Sequence, residues 1–165
     1  MKSPNAGLRF AAVAAAFLML AACSSTDEAA GGSSSSTSGQ IAPGSQEDLV
    51  ANVGDRVFFD TDKSSLSDDA RATLQRQAAW AQLYPNLTFT LEGHADERGT
   101  REYNLALGGR RANAAKDYLV SLGVDAGRLN TVSYGKERPV CLESNENCWA
   151  QNRRAVTVIA SGAAS

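Results

Sequence analysis

Residues 87–100 read LTFTLEGHADERGT and contain the clearest change of local pattern in the chain. Leu87, Phe89 and Leu91 alternate with polar residues, which predicts a strand with one buried face. The alternation ends after residue 92, and residues 93–100 are predicted to form a polar loop. The pattern therefore places a strand here, with a loop at its carboxyl end.

Helical patterns lie on both sides of this strand. Ser67 is a good N-cap for a first helix, whose apolar residues recur at helical spacing until a stop at Pro85. A second helix is predicted from about Glu102 to Leu122, and Gly123 is its C-terminal stop. Both helices are long enough to cover one face of a sheet.

Three further apolar or β-branched runs predict strands, at residues 57–59, 129–134 and 154–159. The predicted order is βαβαββ. Because only two helices are available, we expect an α+β fold, a two-layer sandwich whose mixed sheet is covered by helices on one face.

Residues 1–22 are predicted to be a lipoprotein signal peptide. Basic residues precede an apolar run at residues 10–22, which is shorter than the roughly 20 residues that span a bilayer. The run ends in Leu20-Ala21-Ala22-Cys23, which resembles the bacterial lipobox. That resemblance implies a diacylglyceryl group on the Cys23 sulfur and cleavage before it. The alternative is a plain signal peptide followed by a chance cysteine.

Residues 23–46 are predicted to be the lipidated cysteine and a flexible linker, because Ser, Gly, Ala and Thr cannot bury enough apolar surface to fold. A coil of this length spans about 26 Å. Residues 47–165 are then the globular domain. Ser24 after the cysteine resembles the sorting rule for the outer membrane, so we expect a lipid-anchored domain that faces the periplasm.

The overall composition excludes one class of partner. The 16 Lys and Arg residues do not outnumber the 18 Asp and Glu residues, so a nucleic-acid ligand is not expected. One charge is unusual, since Arg111 lies within the apolar stripe of the second predicted helix. A buried guanidinium is costly unless it is paired. The helix pattern leaves open an internal salt bridge, an anion site for a ligand, or both.

Several separate motifs occur together in one order. They are residues 92–100, 103–105 and 110–112, with residues 57–63, 134–139 and 152–156. Together they resemble the peptidoglycan-binding domain of the outer-membrane protein A (OmpA) family. The resemblance implies binding of meso-diaminopimelate in the peptidoglycan stem peptide. Asp96 would accept hydrogen bonds from the ammonium of this zwitterion, and Arg111 would fork onto its carboxylate.

By the same resemblance, further residues match ligand contacts in the family. Asp62, Asn104 and Arg153 match by position, while Thr61 and Arg98 would add contacts through their backbone. The lipid-anchored members of the family imply docking with TolB and other Tol proteins, in envelope integrity and cell division. The expected role is a non-catalytic tether between outer membrane and cell wall, without a cofactor.

The rival hypothesis is a periplasmic peptidoglycan-processing enzyme. His94 is the single histidine, whereas a zinc site needs about four ligands and a nucleophile needs a positioned base. Neither a metal site nor a catalytic residue is therefore expected. Cys141 and Cys148 are expected to form a disulfide in an oxidising periplasm. Trp80 and Trp149 are expected to serve packing or a partner surface rather than a sugar platform.

Overall fold

The computed structural model describes residues 41–163. The predicted signal peptide, Cys23 and most of the predicted linker lie outside the described residues. Between residues 41 and 163, no helix has the length and apolar character needed to cross a membrane.

Within residues 41–163 the chain forms one four-stranded sheet and four α-helices. The elements are α1 (Gln46–Asp48), which continues into a π-helical turn (Leu49–Val53), β1 (Arg56–Phe58), α2 (Asp68–Leu83), β2 (Thr88–His94), α3 (Arg101–Ser121), a 3₁₀ turn (Ala126–Arg128), β3 (Leu129–Gly135), α4 (Glu146–Asn152) and β4 (Arg154–Ser161). The spatial order of the strands is β1-β4-β2-β3. β4 is antiparallel to both β1 and β2, whereas β2 and β3 are parallel. The α+β class and the mixed sheet are therefore confirmed.

Helices α2 and α3 bury their apolar stripes against one face of the sheet. In β2, Phe89 and Leu91 are buried, while Thr88, Thr90 and Glu92 are only half-buried. The core between the two layers is contiguous and includes Leu74, Trp80, Leu87, Phe89, Leu91, Ala112, Ala115, Leu119 and Leu129.

The contact between β2 and α3 requires two glycines. A Cβ atom on Gly93 would overlap the backbone carbonyl of Gly108, and a Cβ atom on Gly108 would press on the backbone of Gly93. The first half of α3 therefore lies directly on the end of β2. The loop that joins these two elements is thereby held close to the sheet edge.

Two boundaries and one helix differ from the sequence prediction. β2 continues through His94, because Gly93 and His94 still pair with β3, so the polar loop begins two residues later than predicted. The predicted order βαβαββ omits α4, whose seven residues are too few for a periodic pattern. Ordered structure also begins before residue 47, since the side chain of Gln46 bonds to Thr157 and Ile159 of β4.

Candidate functional site

An open pocket of about 230 Å³ lies where the loops after β1 and β2 meet the first turns of α3. Its lining consists of Thr61, Asp62, Asp96, Arg98, Tyr103, Asn104 and Leu107. Most of the residues predicted from the family resemblance are therefore brought together here. The predicted residues Arg111 and Arg153 do not line the pocket, and the sequence analysis missed Tyr103 and Leu107.

Asp96 is the most buried carboxylate of the pocket, with 9% of its side chain exposed. Its Oδ1 accepts hydrogen bonds of 3.1 Å from both the backbone N–H and the Nε of Arg98. Its Oδ2 accepts from Arg98 Nη2 at 2.6 Å and from Arg153 Nη1 at 3.4 Å. Burial opposes ionisation of Asp96, but the hydrogen bonds from Arg98 and Arg153 outweigh it and hold the pKa of this carboxyl below its usual value.

The Arg98 side chain links three parts of the site. Besides Asp96, its guanidinium reaches the hydroxyl of Thr61 at 3.3 Å. It also lies over the indole of Trp149, 4.1 Å from the ring centre, which is a cation–π arrangement. Trp149 in turn donates from Nε1 to Glu97 at 2.9 Å. The tryptophan that was expected only to pack or to meet a partner thus borders the candidate site through Arg98.

Helix α4 holds Asp96 from its other side. Arg153 directly follows the helix, is almost fully buried, and donates to the carbonyl of Phe59 at 3.0 Å. Its Nη2 donates to Glu146 of α4 at 2.6 Å. Cys148 in α4 is joined by a disulfide to Cys141, with the two Cα atoms 4.9 Å apart. The disulfide-bridged segment therefore fixes the helix from which Glu146 and Trp149 reach the site.

Arg111 is completely buried, which confirms that it points into the core. Its guanidinium donates to three backbone carbonyls, of Lys63 at 2.9 Å, His94 at 2.8 Å and Asp60 at 3.0 Å. No carboxylate in the described part of the chain lies within salt-bridge distance of it, so the internal partners are carbonyl oxygens. Burial lowers the pKa of Arg111 to about 10, against the attraction of Asp96. The group therefore remains charged at neutral pH.

The first turn of α3 shapes the rest of the pocket. Thr100 caps this helix by accepting from the Tyr103 N–H at 3.2 Å. The Tyr103 hydroxyl donates to Asp62, a residue in the left-handed conformation with φ of 61°. Asn104 is buried and donates to the carbonyl of Arg98 at 2.7 Å, so it holds the loop. Tyr103 could have been noticed, since it precedes Asn104 within a motif that carries the family resemblance.

His94 does not line the pocket. Its side chain is 3% exposed, and neither ring nitrogen has a hydrogen-bond partner among residues 41–163. Burial, followed by the charges of Arg154, Arg138 and Arg56, lowers the pKa of His94 to about 4. Within the same residues, no three His, Cys, Asp or Glu side chains are grouped to hold a metal ion.

Comparison with protein families matches residues 58–154 to the OmpA family. A protein of Rhizobium meliloti called peptidoglycan-associated lipoprotein is 63% identical over 122 residues, which are 74% of this chain and 69% of that protein. The protein of the same name from Haemophilus influenzae is 48% identical over 100 residues, 61% of this chain and 65% of its own length. The crystal structure of the peptidoglycan-associated lipoprotein from Burkholderia pseudomallei is similar at a TM-score of 0.62 and 46% identity, covering 64% of this chain and 89% of that one.

Proposed function

Since this chain belongs to the OmpA family, we propose that it is a lipoprotein that binds peptidoglycan without catalysing a reaction. The observation that carries the proposal is the buried, ionised Asp96 at an open pocket whose other polar residues also match the family motifs. The names of its relatives, such as the peptidoglycan-associated lipoprotein that is 63% identical to it, support the same ligand class.

We assign meso-diaminopimelate of the stem peptide as the group that enters the pocket. Its free end carries an ammonium and a carboxylate on one carbon. Asp96 accepts from the ammonium, and the charge of Arg111 attracts the carboxylate. Arg111 acts through its charge alone, since its guanidinium is completely buried and donates to the backbone carbonyls of Asp60 and His94 beside the pocket.

The remaining pocket residues orient the ligand. Asp62 and Asn104 offer polar side chains beside Asp96, and Thr61 and Arg98 line the same pocket. By the family resemblance, Thr61 and Arg98 would add contacts through their backbone. Arg153 acts on the ligand through Asp96, since it is buried and donates to this carboxylate. A stem peptide with lysine in place of diaminopimelate lacks the second carboxylate and should bind poorly.

The anchor follows from the sequence at Cys23. We propose that this cysteine is lipidated and that the segment from Cys23 up to the start of α1 at Gln46 tethers the domain. The protein then lies on the periplasmic face of the outer membrane. Two or more acyl chains give stable anchoring, whereas a single chain gives only marginal binding. The family resemblance also implies docking with TolB and other Tol proteins, in envelope integrity and cell division.

A sacculus pulldown tests the binding role. The full chain should be retained on intact sacculi and released by soluble meso-diaminopimelyl tripeptide. Asp96→Asn should lose retention, because a neutral amide cannot hold the ammonium, while Asp117→Asn at an exposed position on α3 should behave like the wild type. Retention of a folded Asp96→Asn variant at the wild-type level would exclude this pocket.

Two further experiments test the anchor and the absence of catalysis. Metabolic palmitate labelling should mark the wild type but not Cys23→Ser. Incubation with purified muropeptides should release no cleaved product. The enzyme hypothesis has little support in the site, since His94 is buried without a hydrogen-bond partner among residues 41–163 and so activates no serine or cysteine there.

A further inference from the structure

The carboxylate that should receive the ligand is already fully occupied. An ionised carboxylate has about four lone-pair positions. In Asp96 two donors reach Oδ1, the backbone N–H and Nε of Arg98, and two reach Oδ2, from Arg98 and Arg153. An incoming ammonium can therefore bind Asp96 only after one of these donors leaves.

Arg98 is the donor that can leave. Arg153 has 7% of its side chain exposed and is also held by Phe59 and Glu146, whereas the Arg98 side chain is 38% exposed. The rest of the Arg98 residue is fixed independently of its guanidinium, since its backbone N–H bonds to Asp96 and its carbonyl accepts from Asn104. The side chain can thus rotate away while the loop keeps its shape.

We propose that Arg98 determines the specificity of this pocket by an exchange of ion pairs. In the free protein its guanidinium occupies Asp96. A ligand with an ammonium and a carboxylate on one carbon gives Asp96 its new cation and gives the released Arg98 its new anion. This inference rests on the proposed function and adds a side-chain role for a residue expected to act only through its backbone.

The exchange discriminates between ligands because its two halves depend on each other. A simple amine, such as the lysine side chain of another stem peptide, could displace Arg98 from Asp96 but would leave the guanidinium without a carboxylate. Bidentate guanidinium–carboxylate pairs are strong, so breaking one without replacement is unfavourable. A zwitterion replaces the pair that it breaks.

Trp149 can hold the released Arg98 side chain beside the pocket. The guanidinium already lies over the indole face, so a small rotation in that plane frees Asp96 while the cation–π contact is kept. Trp149 is itself fixed by its hydrogen bond to Glu97. The released guanidinium would then stay beside the pocket, next to the ligand carboxylate.

Titration calorimetry on the purified full chain in detergent solution tests the exchange. The probes are L-Ala-γ-D-Glu-meso-diaminopimelate and the same tripeptide ending in L-lysine. In Arg98→Ala the lysine peptide should bind about tenfold more tightly than to the wild type, because Asp96 has lost its internal competitor. The affinity for the diaminopimelate peptide should change by less than about threefold. The easier access to Asp96 offsets the loss of Arg98 as the partner of the ligand carboxylate.

Controls make the outcomes distinct. Arg101→Ala, whose side chain is 72% exposed and pairs with Glu137, should leave both affinities unchanged. Arg98→Lys should restore part of the discrimination between the two peptides, since lysine keeps the charge but lacks the bidentate geometry of the guanidinium. Circular dichroism checks that each variant is folded.

An unchanged preference between the two peptides in Arg98→Ala, or a parallel weakening of both, would overturn the exchange. Full binding of the diaminopimelate peptide by Asp96→Ala would instead overturn the assignment of the pocket. Failure of the wild type to bind either peptide would overturn both.

Discussion

Arg111 donates from Nη1 to the carbonyl oxygen of His94 at 2.8 Å, so a cation within α3 is fixed to the last residue of β2. The same guanidinium reaches the carbonyls of Asp60 and Lys63 in the loop after β1. One buried side chain therefore joins the end of β2 to the loop after β1, on the two sides of the candidate site. Its contribution to binding and its contribution to folding are linked by this geometry.

Arg111→Ala is expected to lower the free energy of unfolding by about 3–5 kcal/mol, because it leaves buried carbonyls without donors and opens a cavity. Urea denaturation followed by circular dichroism measures this. Arg110→Ala, at the exposed neighbouring position, should change the stability by less than about 0.5 kcal/mol. A loss below about 1 kcal/mol in Arg111→Ala would mean that water replaces the guanidinium without cost.

Gly93→Ala tests the close contact between β2 and α3. The added methyl group would overlap the Gly108 carbonyl, which is backbone and cannot rotate away, so we expect the variant to lose at least about 3 kcal/mol or to fail to fold. Gly109→Ala is the matched control, since its nearest neighbour would be the Ser133 Cβ at 3.9 Å. It should stabilise the domain by about 0.5–1 kcal/mol through helix propensity. Thermal unfolding compares the two, and equal midpoints would contradict the packing argument.

The sequence could predict the sheet and the two long helices because each has a strong local pattern. The alternation around Phe89 and the capping by Ser67 depend on neighbouring residues only. The inward position of Arg111 followed from helical spacing, and the structure confirms it. The helix pattern left open an internal salt bridge, an anion site for a ligand, or both. The backbone carbonyls that Arg111 binds were not predictable from it, because they lie up to 51 positions away in the chain.

The role of α4 was missed for a related reason. Seven residues, mostly polar, give no periodic signal, although Asn145 caps the helix by accepting from the Cys148 N–H. The contacts of Trp149 with Arg98 and Glu97 cross about 50 positions of sequence, 52 in the case of Glu97. No pattern within α4 could have indicated them, whereas the family motifs did place Asp96 and Arg153 at one site.

The disulfide between Cys141 and Cys148 gives a third test. Removing it with the double change to serine should lower the stability by about 2–3 kcal/mol, since the cross-link restricts the unfolded chain. It should also weaken retention on sacculi, because α4 carries Glu146 and Trp149, which hold Arg153 and Arg98. Urea denaturation with and without a reductant measures the first effect.

The double variant is its own control, because a reductant should destabilise the wild type but leave the variant unchanged. Mass analysis after alkylation without reduction should find no free thiol at either position in the wild type. Two alkylated thiols at Cys141 and Cys148 would contradict the bridge.

The last prediction concerns His94 and mild acid. The unfolded chain takes up a proton near pH 6.5, whereas burial holds the pKa of the folded residue at about 4. Between these values the unfolded state binds more protons, so stability that is present above pH 6.5 is lost as the pH falls toward 4. The loss should be on the order of 3 kcal/mol, because each pKa unit corresponds to about 1.4 kcal/mol.

The control for this prediction is the variant His94→Leu, and it depends on the groups that surround His94. The charges of Arg154, Arg138 and Arg56 disfavour its protonation. The Glu92 carboxylate lies 3.8 Å from its Nε2. His94→Leu removes the titrating group, and neither ring nitrogen had a hydrogen-bond partner to lose within residues 41–163. The variant should therefore fold, with a flat stability between pH 6.5 and 4.

The carboxylates of the site titrate in a lower pH range than His94, so a loss of stability in mild acid can be assigned to His94. Asp96 and Glu97 have folded pKa values below their ordinary 3.8 and 4.5, so their stabilisation is lost mainly at lower pH, in both proteins alike. Urea denaturation at intervals from pH 7 to pH 4 separates the two ranges. The same fall in stability in His94→Leu and in the wild type would show that another group causes the acid sensitivity.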